Sequence, residues 1–387
     1  MSLRILVSAS PGEVRVALLR GSLLLEYWPE RPARPDGVGD LHRARVSAVV
    51  PAMSGAFLLL AGGESGFLPE TEASRTRQPI GRAVHEGMVL PVRVTRAAQG
   101  GKGPRVTALL TPEDAALAAA APPGAPRLLA RGPGAALRLA RAHPAARLAV
   151  DSPALAAGLR GALGADRVEL VRCAVFDDAL EAEFEALAGP EVPLAGGGRL
   201  LVHPTPALTA LDVDAGSAIG TRDPIAQQRL NAAAVTEAAR QIKLRNLAGP
   251  ILLDLAGMPA KRRAALEGQF RAALAGDPLA VLKGLGPLGL FEILRRRVHP
   301  PLHEVLGWPP SPLTHGLAAL RRAAREAAAV PGRVLALRAA PPVLAALRDL
   351  PGALEAYAAG AGSALQLRLD PALSPGQETI EEAGHGG

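Results

Sequence analysis

The chain has 387 residues, of which 49% are hydrophobic and 3% aromatic, and it carries a formal net charge of +7. This length predicts two to four domains, and the basic balance favours a polyanionic partner without proving one. The single cysteine, Cys173, excludes an internal disulfide framework and a cysteine-rich zinc site, and it fits a reducing cytoplasm. Its apolar neighbours predict a buried, inert thiol. No apolar run is long enough to span a bilayer.

The first half of the chain is predicted to contain short strands separated by turn residues. Two apolar strands joined at Pro11 and Gly12 occupy residues 3 to 28, and a linker rich in Pro and Gly follows. Residues 43 to 110 contain several short strands with Gly-rich turns, which is typical of a small antiparallel barrel. From 128 to 187, short strands alternate with helical segments, and this alternation predicts an α/β unit.

The second half favours longer elements. A strand pair over residues 197 to 213 precedes a long helix at 222 to 247 and a buried strand that ends at Asp254. A helix, a strand and a further helix, "LGLFEILRRRVH", are predicted next. Prolines near 307 to 312 mark a boundary, and beyond it helices alternate with strands in a small domain. The last residues have the composition of a disordered tail.

Acidic residues end two of these apolar strands. The run "ALTALDVDAG" places Asp212 and Asp214 two residues apart, so that on a strand both side chains face the same way. Their mutual repulsion has to be offset by a positive group. Together with Asp254 they would form a hard oxygen-ligand site suited to Mg²⁺ or Mn²⁺. The alternative is that these acids cap strand ends or pair with the abundant arginines.

Three segments resemble, in order and spacing, the catalytic half of the ribonuclease E/G family: "ALTALDVDAG", "NAAAVTEAARQIKLRNLAGPILLDLAGM" and "LGLFEILRRR". The resemblance covers most of the chain and is specific between about 196 and 298. It implies a multidomain α/β fold with an inserted β-barrel. The implied segments are the N-terminal part of an RNase H-like subdomain (1–38), an OB-fold RNA-binding domain (39–112), a reduced sensor region with the rest of the RNase H-like subdomain (113–190), a DNase I-like catalytic domain (191–306), a small C-terminal α/β domain (312–372) and a disordered tail (373–387).

The resemblance also implies roles for individual residues. Asp212 and Asp254 would be the catalytic ligands of Mg²⁺, with Mn²⁺ as a substitute, and Asp214 would add a third carboxylate where the family has asparagine. The implied RNA-binding residues are Phe57 and Phe67 as base-stacking aromatics, Lys102 in a basic loop, Arg131 in a 5′-end pocket, and Arg295 and Arg297 as phosphate ligands, with Glu292 holding one of these arginines. The residues alone leave the two phenylalanines open between base stacking and barrel core.

Two departures from the family pattern limit what the resemblance implies. The family's zinc-binding Cys-x-x-Cys linker would lie near 307 to 312, where this chain has "GWPPSPLT" without cysteine. We therefore expect no zinc, and any homo-oligomer would form without a zinc link. The 5′-monophosphate pocket keeps Arg131 but has Gly132 in place of threonine. The resemblance thus does not carry 5′-end sensing over to this chain.

The expected function is that of a cytoplasmic, metal-dependent endoribonuclease without membrane association. It would cleave single-stranded RNA to 5′-phosphate and 3′-hydroxyl ends, in RNA processing or decay. The alternative is a shortened homologue that binds RNA in a regulatory role but cleaves it weakly or not at all. A third possibility is a scaffold that uses its C-terminal domain for protein contacts.

Overall fold

The structure is a computed structural model that describes residues 2–76, 78–216 and 224–383. The chain divides into two compact units. Unit 1 comprises Met1–Pro35, Ala135–Arg295 and Pro301–Gly387, and unit 2 comprises Asp36–Gly134 and Arg296–Pro300. Unit 2 is therefore inserted into the sequence of unit 1. None of the helices in the described ranges is both long and apolar enough to cross a bilayer.

Within the described residues the strands, in chain order, are β1 (Leu3–Ser10), β2 (Glu13–Arg20), β3 (Leu23–Glu30), β4 (Leu41–Val50), β5 (Gly55–Leu59), β6 (Ser65–Pro69), β7 (Val89–Arg96), β8 (Arg105–Thr107), β9 (Arg127–Ala130), β10 (Arg147–Val150), β11 (Val168–Leu170), β12 (Glu191–Pro193), β13 (Arg199–Pro204), β14 (Thr209–Asp214), β15 (Gly249–Asp254), β16 (Ala280–Leu285), β17 (Phe291–Arg295), β18 (Leu335–Ala339), β19 (Gln366–Leu369) and β20 (Thr379–Glu382). The α-helices there are α1 (Glu70–Ala73), α2 (Ile80–Ala83), α3 (Pro112–Ala120), α4 (Ala135–Ala142), α5 (Pro153–Leu163), α6 (Asp178–Ala186), α7 (Pro224–Leu244), α8 (Ala260–Ala264), α9 (Glu267–Leu274), α10 (Leu302–Leu306), α11 (Pro312–Ala329), α12 (Pro341–Arg348) and α13 (Ala353–Ala361).

A six-stranded mixed sheet in unit 1 carries the predicted acids. Its strand order is β12-β13-β14-β15-β17-β16, and β14 and β15 are parallel neighbours. Apolar side chains on one face of the sheet pack against α7 and α9 in a single core. In β14, Leu211 and Val213 are buried whereas Asp212 is exposed, so the acid lies on the opposite face. The predicted strand pair, long helix and strand ending at Asp254 are confirmed.

The helix predicted for "LGLFEILRRRVH" is wrong, because this segment contains strand β17. Phe291 and Ile293 are buried while Glu292 and Leu294 are exposed, which is the two-residue period of a strand. The strand is hydrogen-bonded to β15 on one side and to β16 on the other. Leu, Glu and Arg favour helices, but pairing with two neighbouring strands outweighs that local preference.

The N-terminal part of unit 1 forms a five-stranded sheet in the order β11-β10-β1-β2-β3. The second of the two strands predicted for residues 3 to 28 is in fact a hairpin, because Gly21, with φ of 64°, turns the chain between β2 and β3. Cys173 is exposed, so the prediction of a buried thiol is also wrong. Strand β11 ends at Leu170, which leaves the cysteine in the irregular segment that follows.

The C-terminal part of unit 1 is a three-stranded sheet, β19-β18-β20, packed with helices α11 to α13. The prediction of a disordered tail over 373–387 is wrong for Thr379–Glu382. This segment forms β20, antiparallel to β18, and Ile380 opposite Leu337 packs against the core. A short apolar anchor within a polar stretch was enough to order it. The last four residues of the predicted tail lie outside the described residues.

A buried charge cluster joins the N-terminal sheet of unit 1 to α6 and α11. Arg15 of β2 is 1% exposed and donates two hydrogen bonds to the carboxylate of Glu181 on α6, at 2.6 and 2.9 Å. Arg325 of α11 donates to the same carboxylate. Arg321, also on α11, pairs with Glu13 of β2 at 2.9 Å. Three separate elements are therefore fixed to one another by charge as well as by apolar packing.

Unit 2 is built around a closed five-stranded barrel. The strands are hydrogen-bonded in the order β5-β6-β8-β7-β4, and the second half of β4 pairs with β5 to close the ring, while β9 pairs with the first residues of β4. Closure leaves short apolar side chains in the interior, such as Val46, Leu58, Leu68, Val92 and Val106. The predicted fold class, a multidomain α/β chain with an inserted β-barrel, is therefore confirmed.

Candidate functional site

Asp212 and Asp254 are paired residues of the parallel strands β14 and β15. Residues directly opposite each other on neighbouring strands project from the same face of a sheet. Both carboxylates therefore lie on the face that points away from α7 and α9. Asp212 is exposed and has no bonded partner among the described residues, and the Asp254 side chain is 50% exposed. Two like charges at this spacing favour a cation between them.

Arg263 fixes the carboxylate of Asp254 to the surrounding backbone. Its Nη1 donates to Oδ1 of Asp254 at 2.7 Å and to the carbonyl of Gly289 at 2.8 Å. Its Nε and Nη2 donate to the carbonyls of Met258 and Leu255, at 2.8 and 2.7 Å. The arginine is 16% exposed, so these bonds are shielded from water. The second carboxylate oxygen of Asp254 has no bonded partner in the described part of the chain.

Asn231 of α7 supports the same strand end from the core side. The side chain is fully buried, and its amide nitrogen donates to the carbonyl of Ala256 at 2.9 Å while its amide oxygen accepts from the Ala256 N–H at 3.0 Å. The backbone that follows Asp254 is thereby held by a helix that is itself packed against the sheet. Because the amide nitrogen and the amide oxygen of the buried Asn231 are both hydrogen-bonded, the loop that follows Asp254 is held in one position.

Asp214 has a different environment from the other two acids. Arg199 donates to its Oδ2 through Nε at 2.9 Å and Nη2 at 2.8 Å, and the Gly216 N–H donates to Oδ1 at 2.9 Å. The Gly216 hydrogen bond and Arg199 lower the pKa of Asp214 below its usual value. The described residues contain no group of three or more acidic, His or Cys side chains placed to hold a metal. The role of Asp214 as a third metal ligand therefore stays a prediction, and in this structure Arg199 offsets its charge.

Arg295 is not accessible to an RNA phosphate. It is 4% exposed, and its Nε donates to Asp277 at 2.6 Å while Nη1 donates to Asn246 at 2.7 Å and to the Leu247 carbonyl at 3.0 Å. The prediction that Arg295 binds phosphate is wrong, because the alternation of β17 turns this side chain into the interior. Glu292 lies on the opposite face of the strand and does not hold it.

In unit 2, Phe57 and Phe67 lie on the outer surface of the barrel. They are opposite each other in β5 and β6, with ring centroids 5.4 Å apart and ring planes at 62°. Both are partly exposed, whereas Ala56 and Leu68 beside them point inward and are buried. A Cβ on Gly55 would come within 2.3 Å of the Phe67 ring, so this glycine leaves room for the ring. Of the two alternatives, the barrel core is excluded.

Two of the three predicted cations of unit 2, Lys102 and Arg297, lie close to each other along one hairpin segment. Lys102 is exposed and closes a two-residue hairpin with Gln99, through backbone hydrogen bonds of 2.9 and 2.8 Å. The two intervening glycines have φ of 52° and 76°, which is what such a turn requires. Arg297 donates to the carbonyl of Ala98 at 3.1 Å, on the segment that leads into this hairpin.

Arg131 is bound to an internal acid of unit 2. Its Nη1 donates to Asp40 at 2.6 Å, and the Gly132 N–H donates to the same carboxylate at 2.7 Å. The Arg131 side chain is still 61% exposed. A Cβ on Gly132 would come within 2.1 Å of the Val38 carbonyl oxygen, so a threonine cannot occupy this backbone position unless residues 38 and 39 move. The Arg-Thr pair of the family pocket is therefore excluded by packing.

The sequence prediction missed Arg263, Asn231 and Arg199. Each is a polar residue whose partner is distant in sequence, so no local pattern marks it. A signal was present for Asn231, because it is a polar residue at an apolar-face position of a helix and such a residue needs a buried partner.

Comparisons with known proteins agree with the resemblance found in the sequence. Residues 159–298 match the model of the Ribonuclease E/G family. Ribonuclease G of Escherichia coli K12 is 27% identical to this chain over 408 aligned residues, covering 79% of this chain and 82% of that protein. Ribonuclease G of Salmonella typhimurium is 26% identical with the same coverage. Ribonuclease E of Nostoc sp. PCC 7120 is 37% identical over 123 residues, which are 30% of this chain and 18% of that protein. The predicted resemblance is thus confirmed, and the chain is similar to Ribonuclease G over 79% of its length.

Proposed function

We propose that this chain is an endoribonuclease that cleaves single-stranded RNA in RNA processing or decay, leaving 5′-phosphate and 3′-hydroxyl ends. The observation that carries the proposal is the pairing of Asp212 with Asp254 on adjacent parallel strands, with both carboxylates on the face of the sheet that points away from α7 and α9. The names of the relatives, ribonucleases E and G, support a nuclease activity. The single cysteine supports a reducing compartment such as the cytoplasm.

The proposed cofactor is Mg²⁺, with Mn²⁺ as a substitute, held by Asp212 and Asp254. The donor set fits, because Mg²⁺ prefers oxygen ligands and is commonly bound by one or two carboxylates with the remaining positions taken by water. When bound, the ion would lower the pKa of a water molecule and offset charge on a phosphoryl oxygen. The chain itself would hold the two acids in place. At the strand end that carries Asp254, Asn231 holds the backbone and Arg263 holds the carboxylate.

Unit 2 is proposed to be the RNA-binding domain. Numbered within the barrel, its strands are hydrogen-bonded in the order 2-3-5-4-1 with strand 1 closing onto strand 2, which supports assignment as an OB-fold. Phe57 and Phe67 offer exposed aromatic rings for base stacking, worth about 1–3 kcal/mol per base. Lys102 and Arg297 are proposed to contact phosphates, and the exposed part of Arg131 offers a further contact.

One observation favours the alternative function, an RNA-binding homologue that cleaves weakly. The Arg263 guanidinium is paired with Asp254 at 2.7 Å, and a resident positive charge competes with a metal ion for the same carboxylate. In this case unit 2 would retain RNA while unit 1 contributed little cleavage, and the protein would act by occupying its RNA.

A cleavage assay separates the two proposals. The full chain is incubated with a short, A/U-rich, single-stranded RNA labelled at its 3′ end, with Mg²⁺ or with EDTA, beside a duplex of the same sequence. We expect Mg²⁺-dependent cutting of the single strand, with product ends that a 5′-phosphate-specific exonuclease degrades. We also expect equal rates on 5′-monophosphate and 5′-hydroxyl substrates, because Gly132 excludes the threonine of the end pocket. Binding without cutting in every condition would support the alternative, and neither binding nor cutting would contradict both.

A further inference from the structure

Four side chains form one row across the outer surface of unit 2. The strand register places Phe57 opposite Phe67, Phe67 beside Arg105, and Arg105 opposite Arg96. These residues lie on β5, β6, β8 and β7, which are consecutive neighbours in the sheet. Adjacent strands are about 4.8 Å apart, so the row extends about 14 Å at right angles to the strands.

All four side chains of the row face outward. Each residue is partly exposed, whereas the neighbouring strand residues Leu58, Leu68 and Val106 are buried in the barrel. The row therefore presents two aromatic rings at one end and two guanidinium groups at the other. Because the backbone of a closed barrel fixes the register, this order of groups is set by the fold and not by flexible loops.

The charge of the row is not neutralised within the described part of the chain. Arg96 and Arg105 have no acidic partner there, whereas Arg93 and Arg131 of the same unit each pair with an aspartate. Nε of Arg96 is buried and has no hydrogen-bond acceptor in that part. Burial lowers the pKa of Arg96, and the positive charges of Arg105 and Arg297 lower it further. Arginines remain protonated in proteins, so an anion beside them would relieve their repulsion.

We propose that the row Phe57–Phe67–Arg105–Arg96 is the path of an RNA strand across the barrel, with bases on the two phenylalanines and backbone phosphates on the two arginines. The inference rests on the proposed function, because it takes single-stranded RNA as the ligand. A guanidinium group can donate two parallel hydrogen bonds to the oxygens of one phosphate, and any base can stack on an aromatic ring. Arg105 and Arg96 thereby become phosphate-binding residues that the sequence prediction did not contain. The path crosses the strands and does not run along them.

The test measures RNA affinity against salt concentration. The full chain binds a fluorescein-labelled, single-stranded oligouridylate in EDTA, at salt concentrations from about 50 to about 200 mM, because each phosphate contact to a single strand contributes about 0.7 to the slope of log K against log salt. The variants are Arg105→Gln, Arg96→Gln, their combination, Arg105→Lys and Phe67→Ala. Arg82→Gln is the matched control, since Arg82 is an exposed arginine elsewhere on the same unit.

We expect the slope to fall by about 0.7 in each single Gln variant and by about 1.4 in the combination. Arg105→Lys keeps the charge and should keep the slope, and Arg82→Gln should change nothing. Phe67→Ala should weaken binding at every salt concentration without changing the slope, because stacking releases no counterions. Thermal unfolding of each variant at the parent's temperature confirms that the fold is intact.

Three outcomes would overturn the path. An unchanged slope in the double variant, with salt-sensitive binding by the parent, would refute it while leaving the nuclease proposal, which is measured by cleavage, in place. The slope could also fall in the arginine variants while Phe67→Ala binds RNA as tightly as the parent. That result would show that the arginines bind anions in general, such as an acidic polypeptide. A parent chain that binds no RNA at any salt concentration would remove both the path and the proposed function.

Discussion

Replacing Glu181 by glutamine should destabilise unit 1 at neutral pH, and this loss should fade in acid. Burial by itself raises the pKa of Glu181, but the hydrogen bonds of Arg15 and Arg325 and the charges of Arg15 and Arg321 outweigh burial and lower the pKa from 4.5 to about 2. The ionised carboxylate is therefore favoured by the folded state. Its contribution to stability is complete above pH 4.5 and is lost as the pH falls towards about 2.

The size of this effect follows from the structure. Each pKa unit corresponds to about 1.4 kcal/mol, so the lowered pKa gives about 2–3 kcal/mol once the exposed part of the carboxylate is allowed for. Glutamine keeps the shape of the side chain but removes the closer of the two counter-charges of Arg15, which is 1% exposed, and leaves only Glu13, whose carboxylate is 3.9 Å from its Nε. At low pH the protonated glutamate is equally neutral, and the two proteins should become alike.

Urea unfolding followed by circular dichroism measures the effect at several pH values between 7 and about 3, with Glu185→Gln as the control. Glu185 lies on the same helix, α6, and is exposed. We expect the difference between parent and Glu181→Gln to shrink by roughly half, from about 2–3 kcal/mol at pH 7, as the pH falls to about 3, while Glu185→Gln stays within about 0.5 kcal/mol of the parent. A difference that stays constant over this pH range would refute the charge-pair account.

Two further substitutions test the sites themselves. Gly55→Ala should displace the Phe67 ring, because the added Cβ would lie 2.3 Å from it. We expect a loss of about 1–3 kcal/mol in stability and weaker RNA binding. Normal RNA binding in a fluorescence titration would refute the role of this glycine. Asn231→Ala should leave the part-buried Ala256 N–H and carbonyl without their partner, at a cost of about 1–3 kcal/mol. Cleavage by this variant should fall further than its RNA affinity, because Asp254 loses its support, and equal losses in both would count against that explanation.

Much of the fold could be predicted from local patterns. The strand that ends at Asp254 and the long helix before it have clear apolar periodicities, and the structure confirms them. Strand β17 was predicted as a helix because its alternation of buried and exposed residues is only five residues long and most of these residues favour helices. Its stability comes from pairing with β15 and β16, and this pairing is not visible in the segment itself.

The candidate site was predictable in its acids but not in its cations. Asp212 and Asp254 stand at the ends of apolar strands, and their meeting follows from parallel pairing. Whether an arginine binds RNA or the protein depends on partners that are distant in sequence. Arg295 is buried against Asp277, whereas Arg105, which matches no motif, lies on the barrel surface next to Phe67. Charge alone does not distinguish these two environments.

Asp212 and Asp254 are proposed to act together as one catalytic pair. The most direct measurement is the rate of Mg²⁺-dependent cleavage of single-stranded RNA by Asp212→Asn, by Asp254→Asn and by the double variant. Glu292→Gln, an exposed acid on the same face of the sheet, serves as the control. Residues that act as a unit are strongly non-additive, so we predict that either single change abolishes as much cleavage as both together, with RNA binding and the control unaffected. Cleavage that survives in the double variant, or that is lost equally in Glu292→Gln, would contradict this account.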